Sequence, residues 1–381
     1  MRDAIPFLDL GAQYETIRAD VDAAIADVIR QSAFVGGPHV RAFEEAFARY
    51  SGVKHCVGVA NGTDALFVAL KALGIGPGDE VMTSATSFIA TSEAITLAGA
   101  RPVFVDVDPV TLTIDPERIP ERITPRTRAI VPVHLYGHPA RMTEILALAR
   151  RYGLFVVGDA AQAHGARYRG RAVTEMADVS CFSFYPGKNL GAYGDGGALV
   201  TSRDEVAAAA RVFSDHGRVS RYEHDREGIN SRLDGIQAAV LGVKLRHLDV
   251  WTDRRRAIAA RYTRMLRGIS VATPVESADV KAVYHLYVVR VPDGARDGLR
   301  EALTAHGIQS GVHYPVALPF LEAYRHRGHL VSEYPEAVRA SREVLSLPIY
   351  PEMTDAQLDR VVGVIGEARS LSDAADSVAV R

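Results

Sequence analysis

Seven short apolar runs, set between helical patterns, constrain the fold of this chain more than any other feature. They read CVGVA (56–60), EVMTS (80–84), PVFVDV (102–107), AIVPVHL (129–135), LFVVGDA (154–160), VSCFSF (179–184) and GALVTS (197–202). Helical segments such as GTDALFVALKAL and TSEAITLAGA lie between the early ones. Near-continuous apolar strands alternating with helices are the mark of a sheet covered on both faces, so the expectation is an α/β fold with a mostly parallel sheet. Upstream, Ile17, Val21, Ile25 and Val28 keep helical spacing, as do Val40, Phe43 and Phe47 after Pro38.

The pattern changes beyond residue 233. Residues 233–266 read as one or two long helices leading out of the sheet, and a smaller α+β unit follows, with a strand over 284–291 and a helix over 295–307. This gives a large domain over 1–250, including the N-terminal helical segment, and a small C-terminal domain over 251–381. The final stretch, LSDAADSVAVR, reads as a frayed tail.

Composition excludes several function classes. Lys plus Arg number 44 against 46 Asp plus Glu, a net charge of −2 that asks for neither nucleic acid nor an anionic membrane. Two cysteines, Cys56 and Cys181, sit in apolar runs and offer no disulfide framework and no paired metal-ligand spacing. The start, MRDAIPFLDL, lacks the apolar stretch of a signal peptide, and no run approaches the roughly eighteen apolar residues of a membrane span. A cytoplasmic protein is expected.

The chemistry concentrates where runs end. Asp159 closes the fifth run, at the strand edge where open α/β sheets bind ligands; helix capping, with Gln162 completing a capping box, is the plainer alternative. Lys188 follows the sixth run, in FYPGKNLGAYGDGG, where Gly191, Gly194, Gly196 and Gly197 are expected to let backbone approach a bulky ligand. A carboxylate and a lysine at one sheet edge suit pyridoxal 5′-phosphate, which needs a lysine for its Schiff base and an acid beside its pyridinium nitrogen. VANGTDAL places the backbone N–H groups of Gly62, Thr63 and Asp64 at a helix N-terminus, ready for a phosphate or for a simple turn and cap. Ser183 adds a hydroxyl. Phe88, in TSFIATSEA, offers an aromatic face or ordinary core packing.

On these motifs the chain resembles the DegT-type sugar aminotransferases, pyridoxal-phosphate enzymes of fold type I. The resemblance runs from IPFLDLGAQY through FVGGPHVRAFEEAFARY, VANGTDAL, GDAAQAHGA and FSFYPGKNLGAYGDGGALV to GINSRLDGIQAAVL, GVHYPVALP and LSLPIYPEMT. It implies catalytic roles for Lys188 and Asp159: Lys188 bonds the cofactor and shuttles the proton, while Asp159 pairs with the ring nitrogen. Gln162 then binds the ring 3-oxygen, Phe88 stacks, and Gly62, Thr63 and Ser183 hold the phosphate with Asn230 from a partner subunit. A homodimer with shared sites follows from that last contact. Tyr193, His313 and Tyr314 are implied on the sugar nucleotide.

The family's usual acidic residue before the DAAQ aspartate is Gly158 here. Relatives that dehydrate their sugar carry histidine in place of the Schiff-base lysine, so Lys188 implies transamination. Gln162 resembles members that aminate C3, since members acting at C4 commonly have histidine there. The resemblance implies L-glutamate as donor and a dTDP-linked 3-keto-6-deoxyhexose as acceptor. UDP-linked 3-keto uronic acids and 4-keto sugars are the alternatives within enzymes, and a cofactor-binding regulatory homodimer the alternative outside them.

Overall fold

The structure, a computed structural model, describes residues 4–379; residues 1–3 of the N-terminal stretch and residues 380–381 of the tail lie outside it. All seven apolar runs are strands of one sheet: β1 (His55–Val59), β2 (Glu80–Ser84), β3 (Arg101–Val105), β4 (Thr127–Val131), β5 (Phe155–Asp159), β6 (Val179–Ser183) and β7 (Gly197–Thr201). Their spatial order is β1-β7-β6-β5-β4-β2-β3. The pairs β6/β5, β5/β4, β4/β2 and β2/β3 are parallel, and β7 runs antiparallel to both its neighbours. Every strand but β7 therefore points the same way, and six carboxyl ends share one edge.

Helices cover both faces. On one lie α2 (Gly37–Tyr50), α5 (Met142–Tyr152) and α7 (Gly235–Leu245); on the other lie α3 (Gly62–Ala72), α4 (Ala90–Leu97) and α6 (Asp204–Ser214). Phe47 of α2 meets Phe182 and Phe184 edge to face at 5.0 and 5.4 Å. Burying each such ring contributes about 1.5–3 kcal/mol, so this cluster clamps α2 to the sheet beside the sixth run. α1 (Leu10–Gln31) packs Ile17 and Val21 against Val240 and Val243 of α7.

The segment expected as one or two helices is two, α7 and α8 (Leu248–Met265). Beyond them a short antiparallel pair, β8 (Tyr287–Arg290) with β9 (Val344–Leu347), builds a separate apolar core with α8, α9 (Arg296–Ala305) and α11 (Asp355–Ala379). Ile5 joins that core and bridges Ile308, so the N-terminus is tied to the C-terminal unit. α10 (Pro335–Glu343) precedes β9. The expected tail is corrected: α11 continues to Ala379, as an extension of a helix anchored by Leu358, Val361 and Ile365.

Candidate active site

The shared carboxyl edge opens into a cleft of about 820 Å³, lined as well by Phe7 and Leu8 of the N-terminal segment and by His285 and other residues of the C-terminal unit. Gly62, Thr63, Asp64, Phe88, Asp159, Gln162, Ser183, Lys188, His313 and Tyr314 all line it. Parallel register does much of this work. Asp159 pairs opposite Cys181, so the ends of β5 and β6 bring Asp159 and, two residues beyond its register partner, Ser183 to the same edge.

Asp159 is buried, 5% exposed, and each carboxylate oxygen accepts one hydrogen bond: from Thr91 Oγ1 at 2.8 Å and from the Ala161 N–H at 3.2 Å. Burial raises its pKa, opposed by those two bonds and by the charge of Lys188. Lys188 is pushed down to about 8 by burial, with Asp159 pulling the other way. That leaves roughly a tenth of the amine neutral at pH 7, far more than in an ordinary lysine, as a nucleophilic lysine needs.

Gln162 is fixed from behind. Its Oε1 accepts the Tyr136 N–H at 2.6 Å, which leaves Nε2 to donate to the Tyr314 hydroxyl at 3.3 Å and to present donors towards the cleft. Tyr136 holds a left-handed backbone, φ 59°, and its hydroxyl donates to the His313 carbonyl, tying Gln162, Tyr314 and His313 into one network. Burial raises Tyr314 to about 12 and lowers His313, the latter helped by Lys188.

Phe88 is 56% exposed in this chain, with its ring 5.9 Å from that of Tyr314, so it is free to cover a planar ligand and is not core. Ser183 accepts the Tyr185 N–H at 3.3 Å and keeps its proton to donate.

The reading of the phosphate cradle needs one correction. Asn61 caps α3 and its Oδ1 takes the Asp64 N–H at 2.8 Å, while the Asp64 carboxylate accepts from Ser231 Oγ at 2.6 Å. The Asp64 backbone is therefore spent on the cap, and a cradle rests on Gly62, Thr63 and Ser183. The glycine loop is corrected too. A Cβ at Gly191 would meet the Pro186 carbonyl at 2.2 Å, at Gly197 the Asn61 carbonyl at 2.2 Å, and at Gly194 the Gln237 amide at 3.0 Å. Gly196 faces Leu233 and Phe184. These glycines let protein backbone meet protein, not ligand.

Tyr193 and Asn230 do not line this cleft. Tyr193 packs against Tyr14 and under Lys244, whose Nζ is 4.2 Å from its ring centroid. Asn230 is exposed in a bridge to Asp215. At Gly158 a Cβ would lie 3.0 Å from Ser180 Oγ and 3.5 Å from His134 Nε2. Both of those atoms are buried without a partner among the described residues, so the missing side chain leaves two polar groups unanswered.

Sequence reasoning missed Phe7, Leu8, Ser87, Thr91, Arg255 and His285, all of which line the cleft. Arg255 of α8 is buried, its NH1 donating to the carbonyls of Tyr284, His285 and Ile349. Ser87 and Thr91 carried a signal, flanking Phe88 in the same short motif, as did Phe7 and Leu8 in IPFLDLGAQY.

The profile of the DegT/DnrJ/EryC1/StrS aminotransferase family matches residues 15–366. The chain belongs to that family. Among relatives of this aminotransferase, a pleiotropic regulatory protein of Geobacillus stearothermophilus is 46% identical, covering 95% of this chain and 98% of that one. The dTDP-3-amino-3,4,6-trideoxy-alpha-D-glucose transaminase of Streptomyces venezuelae is 48% identical, covering 95% and 96%. The crystal structure of S. venezuelae DesV in complex with a ketimine intermediate superposes with a TM-score of 0.93 at 47% identity, covering 96% and 98%. NtdA from Bacillus subtilis, 31% identical with a TM-score of 0.89 over 97% and 86%, is solved with its cofactor bound as pyridoxamine phosphate. The aminotransferase uses pyridoxal 5′-phosphate, and the cleft fits it: a recessed lysine, a buried carboxylate, a fixed amide donor and a helix N-terminus face one space.

Proposed function

We propose that this aminotransferase moves the amino group of L-glutamate to C3 of a nucleotide-linked keto-sugar, with a dTDP-linked 3-keto-6-deoxyhexose as acceptor. The observation that carries the reading is that Lys188 and Asp159 line one cleft, beside a Gln162 amide locked as a donor. When bound, the cofactor supplies an electron sink for the carbanion formed at the amine-bearing carbon. Lys188 would hold the cofactor and, once freed as an amine, would carry the proton from that carbon of the donor to the cofactor's C4′, and from C4′ to the sugar carbon in the second half-reaction. Asp159 keeps the ring nitrogen protonated, Gln162 donates to the ring 3-oxygen, Phe88 covers the ring, and Gly62, Thr63 and Ser183 take the phosphate. His313 and Tyr314, at the cleft wall, contact the sugar nucleotide.

The dTDP-linked acceptor is put ahead of a UDP-linked 3-keto uronic acid because the transaminase relative at 48% identity is named for a dTDP sugar. We assign the working form as a homodimer in which Asn230, turned outward here, completes the partner's phosphate site, and Tyr193 serves the sugar only across that contact. We divide the chain into a large domain over 1–250 and a small one over 251–381, each of which lends residues to the cleft. Two buried free thiols, Cys56 and Cys181, suit the reducing cytoplasm, and no helix among the described residues is long and apolar enough to cross a membrane.

The test supplies ¹⁵N-glutamate with dTDP-linked 3-keto, dTDP-linked 4-keto and UDP-linked 3-keto acceptors and reads the products by mass spectrometry. Label in the dTDP-linked 3-amino sugar supports the reading; label confined to another acceptor reassigns the substrate, and label in none of them refutes the activity.

A further inference from the structure

Two hydroxyls stand in line behind Asp159. Thr91 Oγ1 donates to Asp159 Oδ2 at 2.8 Å, and Ser87 Oγ lies 2.8 Å from Thr91 Oγ1. A threonine carries one hydroxyl proton. Because Thr91 spends its proton on the carboxylate, Ser87 must be the donor in the second bond. The relay is therefore directed, from Ser87 to Thr91 to Asp159. Both hydroxyl residues are buried, at 4% and 1% exposure, so water does not compete for these bonds.

Their placement is built into the chain. β2 ends at Ser84, the loop turns at Ser87 and Phe88, and α4 starts at Ala90, so Ser87 and Thr91 lie four residues apart over the end of β5. The hydroxyl of Ser92, the next residue, turns elsewhere, to the Ile89 carbonyl and the Tyr324 hydroxyl. Thr91 alone in this turn reaches the carboxylate. Without it, Asp159 would keep one protein hydrogen bond, from the Ala161 N–H, in a site where burial favours the neutral acid. A neutral Asp159 cannot hold a proton on a pyridine nitrogen.

We infer that Thr91, backed by Ser87, is a positioning residue that keeps Asp159 ionised and aimed into the cleft, and so sets the protonation of the cofactor ring nitrogen. This deepens the reading of the cleft given above and rests on it.

The test compares T91V, which keeps the shape and removes the hydroxyl, with T91S, which keeps the hydroxyl, and S87A, which removes the rear donor. Each is loaded with pyridoxal phosphate labelled with ¹⁵N in the ring. Ring-nitrogen NMR reports protonation directly, and equilibrium dialysis reports retention. The wild type and T91S are expected to show a protonated nitrogen. T91V is expected to show a largely unprotonated nitrogen and about tenfold weaker retention, the scale of one lost hydrogen bond to a charged group. S87A should shift both in the same direction by less.

A protonated nitrogen with unchanged retention in T91V overturns the inference, as does a T91S variant that loses as much as T91V, since that would make the role one of packing. If T91V does not fold, S87A decides alone: a partial shift supports the relay and a wild-type signal refutes it. Failure of the wild type itself to take up cofactor would instead overturn the reading of the cleft, so the two failures are separable.

Discussion

The Tyr136 N–H donates to Gln162 Oε1 at 2.6 Å, and this bond decides which end of the Gln162 amide faces the cleft. With the oxygen held, the amide can only offer donors to an anionic ring oxygen. Gln162→Glu tests this, because a carboxylate can still accept from Tyr136 yet has nothing to donate. Cofactor retention should fall about tenfold or more with the melting temperature preserved, the scale of a lost bond to a charged acceptor. Equilibrium dialysis beside thermal unfolding checks it, and full retention would remove Gln162 from the cofactor site.

Lys188 should titrate well below an ordinary lysine. Burial disfavours its ammonium form more than Asp159 restores it, leaving a pKa of about 8. The sign follows: below that pH the amine is protonated and unreactive, and above it the free amine dominates while surface lysines remain charged. In cofactor-free protein, acylation of Lys188 followed by peptide mass spectrometry should rise with pH through a midpoint near 8. A midpoint in the ordinary lysine range would contradict the recessed, desolvated setting.

The glycine loop makes a prediction about stability. Gly191→Ala and Gly197→Ala each drive a Cβ to 2.2 Å from a backbone carbonyl, which cannot move aside as a side chain can. Each should cost about 1–3 kcal/mol or more. Gly187→Ala is the control beside Lys188: its Cβ would sit 3.5 Å from Leu8, an ordinary contact, and stability should hold within about 0.5 kcal/mol. Denaturant unfolding of the three variants separates backbone packing from ligand approach.

Shared sites can be tested by mixing. Lys188→Ala removes the amine from one set of sites, and Asn230→Asp sets a negative charge against the phosphate of the other. Neither homodimer should turn over well. After co-refolding, mixed dimers hold one site with both native residues, and activity should return. No recovery, with mixed dimers demonstrated by mass, would place Asn230 in its own chain's chemistry or in none.

Much of this molecule was legible in its sequence, for identifiable reasons. Strands buried on both faces must be apolar along their length, so β1 to β7 announced themselves, and parallel register then brought the strand ends Asp159 and Ser183 to one edge. Lys188 was legible because its run ends at the same edge. What stayed hidden depends on contacts distant in sequence. Thr91 meets Asp159 across 68 residues, and nothing in a helix's first turn says which strand end it will overlie. The Asn61 cap was local, yet a cap and a phosphate cradle use the same N–H groups, and only geometry showed that Asp64 had given its own to Asn61. The glycines misled because close backbone approach leaves the same mark whether the visitor is ligand or protein. Tyr193, between two cleft-facing motifs, was drawn out of the cleft by Tyr14 and Lys244.

We propose that Lys188 and Asp159 together run a glutamate-driven aminotransferase. The most direct measurement is the absorption spectrum of the purified, cofactor-loaded protein before and after L-glutamate, repeated with Lys188→Ala. The expected result is a yellow Lys188-bound band that gives way to the pyridoxamine band on adding glutamate, and no such turnover in the variant. A yellow protein whose spectrum ignores glutamate, or a Lys188→Ala variant that completes steady turnover, would contradict the account.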